Sequence, residues 1–210
     1  GDSSAYHAAK YQPMKLAALE GLYQGERNAG LITVGILNPS KERYNDGRDP
    51  FLFKMEIPSL LSIMAKRDAN GFVPGIQNLI DGGYPEADGS IALSAQEKIQ
   101  LGRTAISALG AYRAAKEAGD STSAYLARQV LTANMPYFGY GYIQDVQDLI
   151  PNVPLNFYAF RVMVGLGIFF ILFFAAILFW VYKRDLMHTK WMLWLGLINI
   201  PFAYISGQAG

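Results

Sequence analysis

The stretch VMVGLGIFFILFFAAILFWVY, residues 162–182, decides the fold because it is almost wholly apolar and contains no charged residue. About 20 such residues, rising about 1.5 Å each in a helix, cross a hydrocarbon core of about 30 Å. A helix of this length in a soluble protein is rarely apolar on every face. The stretch therefore predicts a helix that crosses a membrane.

A second uncharged stretch, WMLWLGLINIPFAYISGQAG, occupies residues 191–210. It contains Asn199, Pro201 and Gln208, but a proline is tolerated in a membrane helix where neighbouring groups satisfy the freed carbonyl. Only residues 183–190 separate the two stretches, and that length suits a helical hairpin. We therefore expect a second span.

The connector between the two stretches predicts their direction, because short basic loops stay on the cytoplasmic side of a membrane. Its basic residues are Lys183, Arg184 and Lys190, and the aromatic residues Trp180, Tyr182, Trp191 and Trp194 flank it as an interfacial belt. The predicted order is a periplasmic domain (1–155), a span from outside to inside (156–182), a cytoplasmic connector (183–190) and a truncated returning span (191–210).

Within residues 1–155, the strongest strand signal is a β-hairpin. Leu31–Leu37 and Phe51–Ile57 are rich in apolar residues, and the polar residues 38–50 between them contain Pro, Asn and Gly. The second stretch shows the period-2 pattern of a strand with one face buried. In it, Phe51, Phe53, Met55 and Ile57 alternate with Leu52, Lys54 and Glu56.

Helices are predicted around this hairpin at residues 13–23, 58–65, 94–119 and 121–134. Pro13 is well placed to open the first helix, which Gly25 and Gly30 would end. Ser94 and Glu97 have the spacing of a capping box, which opens the long third helix. The domain is therefore expected to be mixed α/β.

The remaining aromatic segment, YFGYGY at residues 137–142, suits a glycine-rich loop that approaches the membrane surface. The predicted fold class is a mainly α membrane protein, with a two-span transmembrane helical hairpin preceded by a mixed α/β periplasmic domain. We expect the chain to be excised from a longer one. It begins at Gly1 without an apolar signal region and ends at Gly210 on an apolar run.

Several classes of function lack the residues that they require. A net charge of +1 without a basic stripe argues against nucleic-acid binding. The absence of cysteine excludes disulfides, thiolate metal sites and thiol nucleophiles. The two histidines, His7 and His188, are predicted surface residues on opposite sides of the membrane. No catalytic triad, phosphate loop or dinucleotide-binding fingerprint is present.

Arg161 and Met163 stand at the outer end of the first span. A methionine sulfur is a soft axial ligand for haem iron, although methionine in an apolar helix usually serves packing. An arginine at the end of a span commonly extends to the lipid headgroups. From the residues alone, Met163 can be a haem ligand or a packing residue, and the role of Arg161 is equally undecided.

The second candidate group is Gln12, Lys15 and Glu20 on the first predicted helix. Lys15 and Glu20 are five residues apart, about 500° or a net 140° around a helix, so they do not form an ideal surface ion pair. A solvated polar face is the ordinary explanation. The functional alternative is a donor, a cation and a carboxylate around a quinol headgroup, which must lose protons as it loses electrons.

Four segments carry a resemblance to a known family. They are GDSSAYHAAKYQPMKLAALEG (1–21), FKMEIPSLLSIMA (53–65), PLNFYAFRVMV (154–164) and KWMLWLGLINIPFAYISGQAG (190–210). With the patterns QPxKLAAxE and FRxMV in this order, the chain resembles subunit I of the cytochrome bd quinol oxidases. Residues 81–148 resemble it only weakly.

The resemblance implies roles for the matching positions only. Lys15 and Glu20 fall on loop residues implicated in quinol binding and oxidation, and Gln12 belongs to the same motif. Met163 falls on the axial ligand of the low-spin haem b, and Arg161 on a neighbouring arginine near that haem or the quinol. The opposing histidine, and the ligands of the high-spin haem b and haem d, fall outside this sequence.

The implied function is part of an electrogenic respiratory quinol:oxygen oxidoreductase in a bacterial inner membrane. Its expected partners are the lipid bilayer, ubiquinol or menaquinol, the rest of subunit I, and subunit II, and the segment alone is expected to be inactive. The alternative is a membrane-tethered periplasmic binding module without redox activity, which has no need of FRxMV. A channel or transporter is disfavoured, because two spans with one terminal arginine offer no polar pathway.

Overall fold

The computed structural model describes the backbone of residues 2–86, 88–182 and 190–209, and their side chains except at 2, 3, 190, 192 and 193. The described residues are mostly helical, with two small two-stranded antiparallel sheets, β1–β4 and β2–β3. The elements are α1 (Asp2–Tyr11), α2 (Pro13–Glu20), β1 (Glu26–Arg27), β2 (Leu31–Leu37), β3 (Phe51–Ile57), α3 (Leu60–Lys66), β4 (Phe72–Val73), α4 (Ile76–Asp81), α5 (Ala95–Glu117), α6 (Ser121–Asn134), α7 (Val153–Tyr182) and α8 (Lys190–Ala209). Two 3-10 helices cover Met135–Tyr142 and Val146–Leu149.

Helix α2 begins at Pro13, as predicted, but ends at Glu20 rather than near residue 23. Gly21 ends it, because its φ of +62° is left-handed and its N–H bonds back to the carbonyl of Ala18. A Cβ at this position would also lie 2.8 Å from the Phe51 ring. The prediction that Gly25 and Gly30 end this helix is therefore wrong, because the chain has already turned.

Helix α2 lies at the centre of the polar domain. Its small residues Ala17 and Ala18 are almost fully buried, in a cluster with α4 and with Val153 at the start of α7. Leu16 belongs to a second cluster with α3 and β4. The small side chains let neighbouring elements approach α2 closely.

The predicted β-hairpin is confirmed at both strands, with Leu31 opposite Ile57 and Leu37 opposite Phe51. The prediction that β3 buries one of its faces is wrong, however. Along β3 only Phe51 is half-buried, and the residues that follow it are exposed. Helix α7 packs on the hairpin where Phe157 contacts Ile32 and Leu37. Phe51 lies on this same side, next to the register shift between Ile36 and Leu37.

The long helices of the middle segment follow the sequence signals closely. The capping box of α5 is present, since Ser94 and Glu97 bond each other's backbone N–H groups. Helix α6 has the predicted bounds. Residues 137–142 are not a loop as predicted, but part of a 3-10 helix packed on α5. Gly102 and Gly141 make this contact possible, because a Cβ on either would overlap the backbone of the other.

Helix α7 is 30 residues long and includes the uncharged apolar stretch of residues 162–182. Among the described residues it supplies the one helix long and apolar enough to cross a membrane. Helix α8 packs beside it: Phe169 meets Phe202 at 6.1 Å and Trp180 meets Trp191 at 6.0 Å between ring centroids. These two contacts run in opposite directions along the chain, so the helices are antiparallel.

The second span remains a prediction, although α8 continues through Pro201 without a break. The connector from which the direction was predicted, with Lys183, Arg184 and His188, lies outside the described residues. The predicted four-segment organisation and its orientation likewise remain predictions.

Candidate functional site

Arg161 connects α7 to two elements of the polar domain. Its Nη1 donates to the carbonyls of Leu19 (2.8 Å) and Phe157 (3.1 Å), and its Nη2 donates to the carbonyl of Ile32 (3.0 Å). The same Nη2 lies 3.3 Å from Oε2 of Glu20. The guanidinium carbon stands 3.4 Å from the centroid of the Phe157 ring. One side chain thus joins α2, β2 and α7.

Glu20 is a buried carboxylate at the end of α2, with only 3% of the residue exposed. Burial raises its pKa above the ordinary value, because the charged form loses water. Attraction and hydrogen bonding from Arg161 oppose that shift without cancelling it. A carboxyl with a raised pKa, placed beside a cation in a cavity wall, is a candidate proton acceptor.

Glu20 lines a cavity of about 590 Å³ beneath the hairpin. Its walls also carry the aromatic side chains of Tyr23, Tyr44 and Phe51. A cavity of this size falls in the range of small-molecule sites. Its lining is largely polar, with seven charged residues, Glu20 included, beside the aromatic ones.

The loop that closes this cavity, residues 38–50, is ordered by two charged residues, Lys41 and Asp46, that no sequence motif singles out. Lys41 Nζ lies 2.7 Å from Oδ1 of Asp46 and donates to the carbonyl of Arg48 at 2.8 Å. It also stands 4.7 Å from the centroid of the Tyr23 ring. The Lys41 hydrogen bond holds the pKa of Asp46 well below its usual range. The sequence feature that could have indicated this ordered loop is the pair Asp46-Gly47 between the basic residues Arg43 and Arg48.

Gln12 and Lys15 lie apart from Glu20. Both are exposed, and neither lines the cavity beside Glu20. Among the side chains that the structure describes, neither makes a hydrogen bond or an ion pair through its own side chain. The structure therefore brings Glu20 to Arg161 but does not bring Gln12 or Lys15 to Glu20.

Met163 is half-buried and follows Arg161 by two residues. Two residues correspond to about 200° around a helix, so the two positions lie on different sides of α7. Within the described part of the chain, no group of three or more His, Cys, Asp or Glu side chains could hold a metal. His7 is exposed on α1 and stacks on Tyr11, with 5.9 Å between ring centroids.

One atom of the site has an unmet requirement. Nε of Arg161 is buried and has no hydrogen-bond partner among the described residues. A buried N–H without an acceptor costs about 1–3 kcal/mol. An oxygen-bearing or anionic group beside this arginine would satisfy it.

The comparisons with known proteins agree with the resemblance noted in the sequence. A family model for cytochrome bd terminal oxidase subunit I matches residues 1–210. The chain is 30% identical over 211 residues to the cytochrome bd-II ubiquinol oxidase subunit 1 of Escherichia coli strain K12. It is 24% identical over 210 residues to the cytochrome bd ubiquinol oxidase subunit 1 of Bacillus subtilis strain 168.

Both alignments cover the whole chain but only 40% and 31% of these relatives, so the chain spans less than half of their length. The family match itself extends from one end of the chain to the other, and it includes the weakly resembling residues 81–148. The chain belongs to the cytochrome bd terminal oxidase subunit I family.

Proposed function

We propose that this chain carries the quinol-oxidising side of a respiratory quinol:oxygen oxidoreductase of the bacterial inner membrane. Residues 1–155 face the periplasm, α7 crosses the bilayer from outside to inside, and α8 returns. The rest of subunit I and subunit II complete the enzyme. The family membership and the ubiquinol oxidase names of the relatives support this proposal.

The observation that carries the proposal is the contact of Arg161 with Glu20. It joins the polar domain to the end of the apolar helix, next to a cavity of about 590 Å³. A quinol dissolved in the bilayer reaches this place along α7. Its flat headgroup suits aromatic walls, and Tyr23 and Phe51 provide them.

Oxidation of a quinol to a quinone releases two electrons and two protons. Glu20 in its ionised form accepts one of these protons from a quinol hydroxyl, acting as a general base, and accepts the second after it has released the first. Its raised pKa favours this role, because a more basic carboxylate takes a proton more readily. Arg161 favours the return to the charged form, so that the proton is released to the outer side.

Lys15 and Gln12 are assigned a role outside the cavity, since neither lines it. Both side chains are exposed and without a described partner, so they are free to hydrogen-bond an oxygen of an arriving headgroup. The three residues thus divide the work: Lys15 and Gln12 orient the substrate, while Glu20 takes its proton.

Met163 is the residue of this chain that would hold the low-spin haem b, through its thioether sulfur. The unpaired Nε of Arg161 suits an oxygen of the quinol headgroup rather than this haem, because Arg161 and Met163 lie on different sides of α7. A haem held there would supply one-electron redox chemistry, and the high-spin haem b and haem d would belong to the rest of the subunit. A second haem ligand, a histidine, would come from another part of the subunit.

Steady-state quinol oxidation by the complete oxidase tests this function. Glu20→Gln is expected to lower kcat by at least about 100-fold, the usual contribution of a general base, while the haem absorbance bands stay in place. Glu117→Gln, an exposed residue at the end of α5, is the matched control and should behave as wild type. Wild-type kinetics in Glu20→Gln would refute the proton-acceptor role. A wild-type protein without a haem Soret band would instead favour a tethered binding module.

A further inference from the structure

The outward face of the hairpin is uniformly apolar. Paired residues of an antiparallel ladder share a face, and three pairs are Leu31 with Ile57, Val34 with Met55, and Ile36 with Phe53. Five of the six side chains are about half exposed: Val34 55%, Ile36 52%, Phe53 50%, Met55 57% and Ile57 48%. The described residues therefore leave a continuous apolar surface uncovered, of the kind that marks an interaction site.

The opposite face of the same hairpin is already in use. Ile32 and Leu37 pack on Phe157 of α7, and Lys54 pairs with Glu56 at 2.9 Å. The hairpin therefore has one face toward α7 and an apolar face turned away from it. Burial within the polar domain covers the Leu31 end of the outward face, which packs on the cluster of Leu16 and Leu61. It does not cover Val34, Ile36 and Met55, which are exposed.

The place where the hairpin meets α7 indicates what covers that face. The backbone N–H of Leu37 donates to the hydroxyl of Tyr158 at 3.0 Å, and the rings of Phe51 and Phe157 are 5.5 Å apart. Helix α7 has 30 residues, which correspond to about 45 Å, whereas a hydrocarbon core is about 30 Å thick. Its first turns, with Phe157 and Tyr158, thus stand in the interfacial layer, where tyrosine is favoured.

The hairpin also reaches the beginning of the apolar stretch of α7. The carbonyl of Ile32 accepts a hydrogen bond from Arg161, one residue before the uncharged stretch that begins at Val162. The hairpin thus lies beside the part of α7 that enters the headgroup layer.

We propose that the outward face of the hairpin lies in the outer headgroup and acyl boundary of the bilayer, as a second membrane anchor for the polar domain. The loop at its tip has three basic and three acidic residues, and this balance removes any net attraction to anionic lipid: Lys41, Arg43, Arg48, Glu42, Asp46 and Asp49. Binding is therefore by apolar contact and independent of lipid charge. The inference rests on α7 as a membrane span and not on the chemistry of Glu20.

Spin labels on introduced cysteines test this anchor, since the chain has no cysteine of its own. Phe53→Cys and Met55→Cys probe the outward face, and Lys54→Cys and Glu56→Cys are matched controls on the same strand. The complete oxidase is placed in phosphatidylcholine nanodiscs, and the signal of the parent complex treated identically is subtracted. Collisions of the spin label with oxygen show that the label lies in lipid, and collisions with a water-soluble nickel chelate show that it lies in water.

The expected result alternates along the strand. Labels at 53 and 55 should collide with oxygen and be shielded from nickel, labels at 54 and 56 should collide with nickel, and anionic lipid should change neither. Nickel collisions at all four positions would place the hairpin in water and overturn the proposal. Shielding from both reagents at 53 and 55 would show a protein cover and overturn it equally. Ile36→Cys reports the same face from β2 if a β3 variant does not assemble.

Discussion

Arg161 and Glu20 form a buried ion pair across 141 residues of sequence, with Nη2 3.3 Å from Oε2. Four acceptors meet at this one guanidinium: the carboxylate of Glu20 and the carbonyls of Leu19, Ile32 and Phe157. Lysine could not replace it, because an ammonium lacks the planar fork that reaches several acceptors at once. The pair is therefore both the candidate site and the joint between the polar domain and α7.

The first prediction concerns this joint. Arg161→Gln should destabilise the polar domain by about 3–5 kcal/mol, the usual cost of leaving one buried charge without its partner. The double variant Arg161→Gln/Glu20→Gln should recover part of that loss, because no charge is then left unpaired. Thermal unfolding of the complete oxidase, with proteolysis of residues 1–155 as a second readout, measures both. Strictly additive losses from the two single changes would contradict a coupled pair.

The second prediction follows from the raised pKa of Glu20. Between the ordinary glutamate value of about 4.3 and the raised value, the folded protein holds more protons at this site than the unfolded chain. The contribution of Glu20 to the free energy of unfolding is therefore fully present at pH values below the ordinary glutamate pKa. It is lost as the pH rises through the pKa of Glu20 in the folded protein. Unfolding at several pH values should show this loss in wild type and not in Glu20→Gln. An equal pH dependence in both proteins would contradict it.

The same carboxyl predicts the acidic side of the rate profile. Activity should rise with pH as Glu20 ionises, with a midpoint above the pKa of an ordinary glutamate. Removing the opposing charge in Arg161→Gln should move that midpoint to still higher pH, since Arg161 lowers the pKa of Glu20. The pH dependence of kcat/KM for quinol measures both midpoints. If Arg161→Gln left the midpoint unchanged, the group whose ionisation limits the rate would not be Glu20.

A third prediction distinguishes the role of Lys15 in substrate binding from the role of Glu20 in proton transfer. Lys15 is exposed and has no side-chain partner among the described residues, so Lys15→Gln should leave the unfolding temperature unchanged. It should raise KM for quinol more than it lowers kcat, because it removes an orienting contact from bound substrate. Lys10→Gln, on the exposed part of α1, is the control. A fall in kcat alone would place Lys15 in the chemistry instead.

Local signals in the sequence were sufficient for much of the fold. The bounds of β2, β3 and α6, and the capping box of α5, depend on residues that are neighbours in the chain, and all four were predicted. The end of α2 could not be predicted, because Gly21 and Gly25 are both glycines that could end a helix. Only the left-handed backbone of Gly21 distinguishes it.

The burial of the hairpin and the partner of Glu20 could not be predicted in the same way. Alternation along β3 has period 2 whichever face is turned inward, so the choice depended on Phe157, which is distant in sequence. Arg161 was likewise ambiguous, because an arginine at the end of a span can extend to headgroups as well as to a carboxylate. Its acceptors on α2 and β2 are 129 to 142 residues away.

The fourth prediction tests the haem ligand. In the complete oxidase, Met163→Leu should remove the low-spin haem b band from reduced-minus-oxidised spectra, because leucine has a similar volume but no sulfur. The band of haem d should stay largely in place. Met135→Leu, an exposed methionine in the 3-10 helix after α6, controls for the loss of a thioether elsewhere. An unchanged low-spin band in Met163→Leu would remove the assignment.

The last prediction concerns the packing of the 3-10 helix on α5. Gly102→Ala places a methyl group against the backbone of Gly141, and overpacking of this kind typically costs about 1–3 kcal/mol. Gly110→Ala, on the same helix with open space around it, should instead stabilise α5 by about 0.5–1 kcal/mol, because alanine favours the helix. Protease cleavage within residues 135–142 should rise in the first variant and not in the second. Equal cleavage in both variants would mean that the close contact of Gly102 with Gly141 does not hold this segment on α5.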